Sequence, residues 1–460
     1  MFTKGKVVFL LGAILVALCI IMIILKSQPT ANIALAKKNE SLAIELRSEF
    51  DAWYASIRKI PASENGAIPI LNALQSLEPL PARIKILISD SLELKKSKGK
   101  DLRDYLARNE KPLTQIIDSL KYNEFSYPID YRQANAESLN DLFKVGKAAL
   151  AIIAKADLLS LDGKNLEALQ EYINAIRLGM TLSSDKLLGA HIVANAVFFN
   201  ALEKLIILLS EKFFTEVELT SILDQMLHIY DKCKEQIELN TILQNDLMLY
   251  YKIVVDSIDQ EHSIEWIRSG GILPESKQEN TPDIEPAKYV HDFENEVNEL
   301  QKLKKLFSLA QEKGFPSIRR ELTHLSTARY VNGFWIRDKN LPVIVDIASI
   351  ANNLKKYALV DTFWRATNII IAIKLYKMQI GHLPTTLDKI TKLIPKEMLV
   401  DPFSGENFIY KLKDNGFCFF SVGEDGINNN CEDTREPLEI LSNEREQDDI
   451  IFFLPVSGNK

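Results

Sequence analysis

The hydrophobic positions of this chain change period twice. Residues 7–25 are one unbroken apolar run, VVFLLGAILVALCIIMIIL. From residue 42 to residue 378, apolar side chains recur mostly at three- and four-residue intervals, the period of amphipathic helices. Beyond Gly381 the pattern breaks into short aromatic and β-branched bursts between turn signals, as in strands. These periods predict a mainly α protein with an N-terminal transmembrane helix, a long region of helical hairpins, and a small C-terminal α+β domain with an antiparallel sheet.

Punctuation supplies the boundaries. A cytoplasmic tail is expected at 1–6, an anchor at 7–25 and a helical domain at 30–268. GGILPESKQENTPDIEP marks a loop or linker at 269–287. A helical region at 288–360 continues the middle domain, and the α+β domain occupies 361–456. Within the middle, helices are predicted over 42–60, carrying Phe50 and Trp53 and ended by Pro61, over 68–77, and over 102–120. The strongest helical pattern runs over 139–209. Inside it, Ala156, Gly163, Ala168, Tyr172 and Ala175 have the spacing of one tetratricopeptide unit. Small residues let two antiparallel helices approach, and glycine makes the turn between them. No second copy follows at a fixed period, so a plain helical hairpin is expected. The helix over 215–258 opens on a Thr215 cap ahead of Glu216 and Glu218. Strands are predicted over 408–412, 417–422 and 450–454.

The run at 7–25 is long enough to span a bilayer as one helix. A cleaved signal would have a shorter apolar core and a small-x-small site, which the following SQPTAN does not supply. Lys4 and Lys6 precede the run, and Lys26, Lys37 and Lys38 follow it, so the positive-inside balance is nearly even. A short lysine-bearing tail stays inside more readily. The expected placement is therefore a single-pass inner-membrane protein with its bulk on the periplasmic side.

The chain has 460 residues, 47% hydrophobic and 25% charged, with a net charge of −7. That mild acidity argues against a nucleic-acid partner, which needs a basic face. Of the four cysteines, Cys19 lies in the apolar run. Cys418 and Cys431 either pair in an oxidising compartment or remain free thiols. No cysteine or histidine spacing resembles a zinc site, and no nucleophile elbow or phosphate-binding glycine loop occurs. His191 reads as a packing residue on a helix. Trp53, Trp266, Trp335 and Trp364 read as core or interface anchors. No catalytic residue is assigned, and no enzyme activity is predicted.

One specific pattern remains. Leu375 and Tyr376 are followed by Gly381, Leu383, Pro384 and Leu387, and then by Pro395. Asp401, Pro402, Gly405 and Tyr410 come next, then Ser421, Gly423, Asp425 and Gly426, and finally Asp449 and Ile450. In order and spacing this resembles the head of the major pseudopilin of bacterial type II secretion. The whole chain resembles uncharacterised bacterial membrane-anchored helical proteins with such an end. The resemblance implies a pseudopilin-like α+β domain, a calcium site and partners among envelope proteins. Asp425, with Asp448 and Asp449, are the carboxylates that match, and calcium takes six to eight oxygen ligands. Lys6 stands where a pilin carries a glutamate, and Asp361, Arg365, Lys374 and Lys377 make the helix before the head too charged for a membrane span. Pilus polymerisation is therefore not expected. The favoured reading is an envelope-anchored structural or interaction protein linked to a secretion or pilus-like system. The alternative is an envelope hydrolase or small-molecule-binding protein with a pocket in the helical region.

Overall fold

The computed structural model describes residues 37–57, 59–81, 99–129, 131–132, 140–185, 187–236, 347–413, 416–428 and 449–455, with parts of 241–256 and 301–318. The apolar run at 7–25, the linker at 269–287 and Asp448 lie outside the described residues. The chain forms two compact units. One takes residues 1–57 and 247–302, the other residues 58–246 and 303–460. In the first, residues 37–56 are helical, and Ala43, Leu46 and Phe50 are buried at a spacing of three and four. Phe50 also meets Trp53 at a tilt, with centroids 5.6 Å apart, and stacks on Tyr54 at 6.1 Å.

The second unit carries the labelled elements. They are α1 (Ala67–Leu74), α2 (Lys100–Arg108), α3 (Glu110–Ser119), α4 (Asn140–Leu161), α5 (Asn165–Ser183), α6 (Leu188–Glu211), α7 (Glu216–Gln236) and α8 (Ile347–Ile380). Strands β1 (Ile409–Lys413), β2 (Gly416–Ser421) and β3 (Ile450–Pro455) form one antiparallel sheet in that order. The mainly helical class and the small C-terminal sheet are as the periods predict.

The single helix expected over 102–120 is two. Pro112 cannot donate a backbone N–H, and its ring would clash with the carbonyl four residues back. The chain breaks at Asn109 (φ −103°, ψ 10°), leaving Pro112 in the first turn of α3, where no donor is needed. Asn109 fills the gap. Its Nδ2 donates to the Tyr105 carbonyl at 2.8 Å and its Oδ1 accepts the Glu78 amide at 2.8 Å.

The α4–α5 hairpin closes on Gly163 at φ +77°. The Lys164 amide reaches the Leu159 carbonyl at 2.8 Å, the bond pattern of a glycine-ended helix. Ala156, Ala168 and Ala175 are fully buried and Tyr172 nearly so, which is the close approach their spacing implied. At the start of α7, Thr215 Oγ1 accepts the Glu218 amide at 3.3 Å and Glu218 Oε2 accepts the Thr215 amide at 2.7 Å. This is a reciprocal capping box.

Helix α8 is the central pillar. It packs against α6, against α7 and against the short turns that lead to the sheet. Phe363, Ala366 and Ile369 to Ile373 are completely buried, so the middle of α8 is covered on every side by its neighbours. Phe363 meets Phe199 of α6 at 4.9 Å and Phe452 of β3 at 5.4 Å. Trp364 meets Phe198 and Tyr230, each at 5.8 Å. Burial of one such ring contributes about 1.5–3 kcal/mol, so this one helix joins the middle helices and the sheet into one core. It passes through residue 361, where the α+β domain was expected to begin, without a break. Among the described residues α6 is long and apolar enough to cross a membrane, yet most of it is buried between α4, α5 and α8. His191 sits on α6, 1% exposed, with its ring 6.0 Å from that of Tyr357.

Candidate functional site

The C-terminal motif residues converge on one buried carboxylate. Asp401, 1% exposed, accepts the Phe403 amide on Oδ1 at 3.0 Å, a local turn of the kind Asp-Pro sequences favour. The same oxygen accepts the Ser421 hydroxyl at 2.7 Å, and Oδ2 accepts the Val422 amide at 3.3 Å. Ser421 Oγ in turn accepts the Gly423 amide at 3.1 Å. On the backbone, the Asp401 amide donates to the Glu406 carbonyl at 2.7 Å and the Gly405 amide to the Asp401 carbonyl at 2.8 Å. Gly405, at φ +77°, allows the chain to reverse there. Asp401 thus clamps its own loop to the end of β2. A second long-range link joins Tyr410, whose hydroxyl donates to the Pro384 carbonyl at 2.8 Å. The Asp-Pro and Ser-x-Gly positions are therefore parts of one hydrogen-bonded clamp, and the Tyr and Leu-Pro positions form a separate link.

The three acids named for calcium are placed differently. Asp425 is half-buried in the turn after β2, and its Oδ1 accepts the Ile427 amide at 2.8 Å. Glu424 beside it pairs with Lys355 of α8, both side chains largely covered. Asp449, 3% exposed, immediately precedes Ile450, which pairs with Ser421. Asp425 and Asp449 therefore leave the sheet at the same end. Asp448 lies outside the described residues. Among the described residues no group of three or more metal-ligating side chains forms. Two carboxylates are a partial donor set. Calcium's six to eight oxygens would require Asp448 and backbone carbonyls of the turn as well.

Sequence reasoning missed two part-buried polar centres. Arg365 of α8, with its side chain 15% exposed, donates through Nη1 to the Glu397 carbonyl at 2.9 Å and the Val400 carbonyl at 2.7 Å. Its Nη2 pairs with Asp361 Oδ2 at 2.7 Å, and Tyr230 of α7 donates to Asp361 Oδ1 at 2.8 Å. Burial opposes the guanidinium's charge, but Asp361 and Tyr230 hold its pKa above the ordinary value. The visible signal was an ion pair spaced by four in the otherwise apolar DTFWRATNIII. The second centre staples the α4–α5 hairpin. Tyr172 donates to Asp157 Oδ1 at 2.5 Å, and Lys155 pairs with Glu171 at 2.6 Å. Burial raises the pKa of Asp157, against the pull of Lys204 and of the Tyr172 hydroxyl. Burial and Asp157 likewise hold the Tyr172 pKa well above its ordinary value, so its hydroxyl keeps its proton and donates it to the carboxylate. Neither of the two clefts described here includes these residues in its wall.

Cys418 is fully buried on β2 and disulfide-bonded, its partner outside the described residues. Cys233 on α7 is a free thiol whose pKa burial pushes up to about 12, so it stays protonated and unreactive. No protein-family model matches the chain, and no match was found among curated proteins or solved structures.

Proposed function

We propose that this chain is an envelope-anchored structural or protein-interaction protein, linked to a secretion or pilus-like system. In this reading the run at 7–25 is the anchor, the bulk of the chain lies on the periplasmic side, and the end of the chain is a pseudopilin-like head. The disulfide at Cys418 supports an oxidising compartment.

The observation that carries the interaction reading is an apolar surface at the end of α8. Phe213 and Val217, at the α6–α7 turn, are each 79% exposed. Ile380 and Met378, in the last turn of α8, are 53% and 38% exposed. The two segments are tied together: Lys374 Nζ donates to the Lys212 carbonyl at 3.3 Å and Gln379 Nε2 to Glu216 Oε1 at 2.9 Å. Adjoining exposed side chains of this size mark a contact surface more often than scattered ones do. Polar atoms of Glu216 and Lys212 rim it, which suits a partner protein with an apolar centre and a polar edge.

Mild crosslinking of the full chain in envelope fractions should recover components of a secretion or pilus-like assembly. Phe213→Ser with Val217→Ser should lower that recovery about tenfold without changing the melting temperature, because neither side chain belongs to the core. No recovery of such components, or recovery indifferent to both substitutions, overturns the reading.

The reading includes calcium as a ligand of the turn after β2, with Asp425, Asp448 and Asp449 as its carboxylates. Millimolar calcium should then raise the melting temperature of the full chain. A hundredfold excess over the dissociation constant contributes about 2.7 kcal/mol. Asp425→Ala should abolish the shift and leave calcium-free stability nearly unchanged, since among the described residues that side chain holds its own turn alone. An unshifted melting curve in calcium removes the metal from the proposal.

A further inference from the structure

We propose that a cleft in the helical region binds an organic phosphate, a property separate from the apolar contact surface. The cleft lies between residues 120–125 at the end of α3, the C-terminal half of α5 and one face of α7. Its volume is about 400 Å³, within the range of small-molecule sites. Gln225, His228, Ile229 and Lys232 reach it together because positions three, four and seven apart share a helix face.

The lining is one-sided in charge. Lys121, Arg177 and Lys232 contribute to it, and among the described residues no aspartate or glutamate does. Composition does not predict this, since the chain carries 62 acids against 55 lysines and arginines. Arg177 is anchored at the cleft. Its Nη2 donates to the Leu120 carbonyl at 3.0 Å, leaving the other guanidinium donors uncommitted by that bond. Among the described residues Arg177, Lys121 and Lys232 take part in no ion pair. Like charges gathered in a concave, partly apolar site focus potential and draw a counter-charge into it. A guanidinium fork matches phosphate oxygens, and lysines add point charge around it.

The size and the remaining walls set the rest of the ligand. The cleft is wider than one phosphate group needs, since sites of this volume take small organic molecules. Tyr122, Phe125, Met180 and Ile229 supply aromatic and aliphatic surface beside the cations. The ligand class is thus a phosphate monoester with a ring or short apolar body. An adjoining depression shares Lys121, Tyr122 and Asn123 but adds Glu64 and Glu124. The phosphate therefore belongs on the Arg177–Lys232 side and not beyond Lys121.

Titration calorimetry on the full chain in a zwitterionic detergent tests this, with phenyl phosphate, inorganic phosphate and benzoate as probes. Phenyl phosphate should bind saturably and more tightly than the other two. Arg177→Gln should weaken it about tenfold or more, and Lys232→Gln about three- to tenfold. Lys232 is exposed and outside the core, so its variant keeps the test valid even if loss of the Arg177–Leu120 bond disturbs the fold. Lys392→Gln, an exposed lysine elsewhere, should bind as the parent does. Displacement of phenyl phosphate by nanodiscs of anionic phospholipid would assign the phosphate to a lipid headgroup, and indifference to them would assign it to a soluble ester. Benzoate binding as tightly as phenyl phosphate, equal weakening by Lys392→Gln, or no saturation at millimolar probe overturns the proposal.

Discussion

Asp401→Ala should destabilise the folded chain by about 3–5 kcal/mol, a large fraction of the stability of an ordinary domain. The side chain is 1% exposed and holds three donors: two backbone amides and the Ser421 hydroxyl. Alanine leaves all three in a space too small and too covered for each to find water, so the cost is that of stranded donors as well as lost bonds. Asp401→Asn separates the two effects. Its carbonyl oxygen can still accept the Phe403 amide and the Ser421 hydroxyl, but its NH2 group faces the Val422 amide, donor against donor. A smaller loss of about 1–3 kcal/mol is expected. Urea unfolding of the full chain in detergent measures both. Limited proteolysis should find new cuts between residues 401 and 428 in the alanine variant. An alanine variant within about 1 kcal/mol of the parent would show that Asp401 is not the clamp described here.

Arg365→Met is the second large effect, also about 3–5 kcal/mol, for a different reason. Methionine matches the length of the stem and suits the apolar surroundings of α8. What is lost is the charge that neutralises Asp361 and the donors that satisfy the Glu397 and Val400 carbonyls. Asp361 then remains partly buried, with only Tyr230 to hold it. Arg365→Lys should recover part of the loss, because an ammonium keeps the charge but cannot bridge the carboxylate and two carbonyls with one planar fork. Adding Asp361→Asn to Arg365→Met should lower the cost of the single change, since the stranded charge disappears. A double-mutant cycle by urea unfolding reads this coupling directly. Simple additivity of the two substitutions, or a methionine variant as stable as the parent, contradicts the network.

These two residues show where sequence reasoning stopped. Asp401 was visible as the first residue of an Asp-Pro-x-Ser-Gly turn, and Ser421 as the first of a Ser-x-Gly turn. Nothing in either segment says that the carboxylate of one receives the hydroxyl of the other, twenty residues away. Asp425, the acid that the motif singles out, bonds its own turn among the described residues. Arg365 looked like a charge that kept its helix out of the membrane. Its two carbonyl partners sit in the turns before the sheet, and Tyr230 of α7 shares its Asp361, at separations that no local pattern encodes. The cleft was equally hidden, because Lys121, Arg177 and Lys232 come from three segments whose charges are unremarkable one at a time.

Local chemistry was legible because local rules govern it. The period of apolar residues marked the helices and the three strands. Gly163 ends α4 because only a residue without a side chain takes that backbone angle cheaply, and the Thr215–Glu218 box starts α7 because four unsatisfied amides need acceptors. Pro112 even carried the signal for the break at Asn109. Tertiary structure alone decided that α8 is shared between the middle helices and the sheet, which charges are buried and paired, and which are gathered around a cleft. The physical reason is that burial and pairing depend on what lies across the core, and that is set by packing between segments distant in sequence.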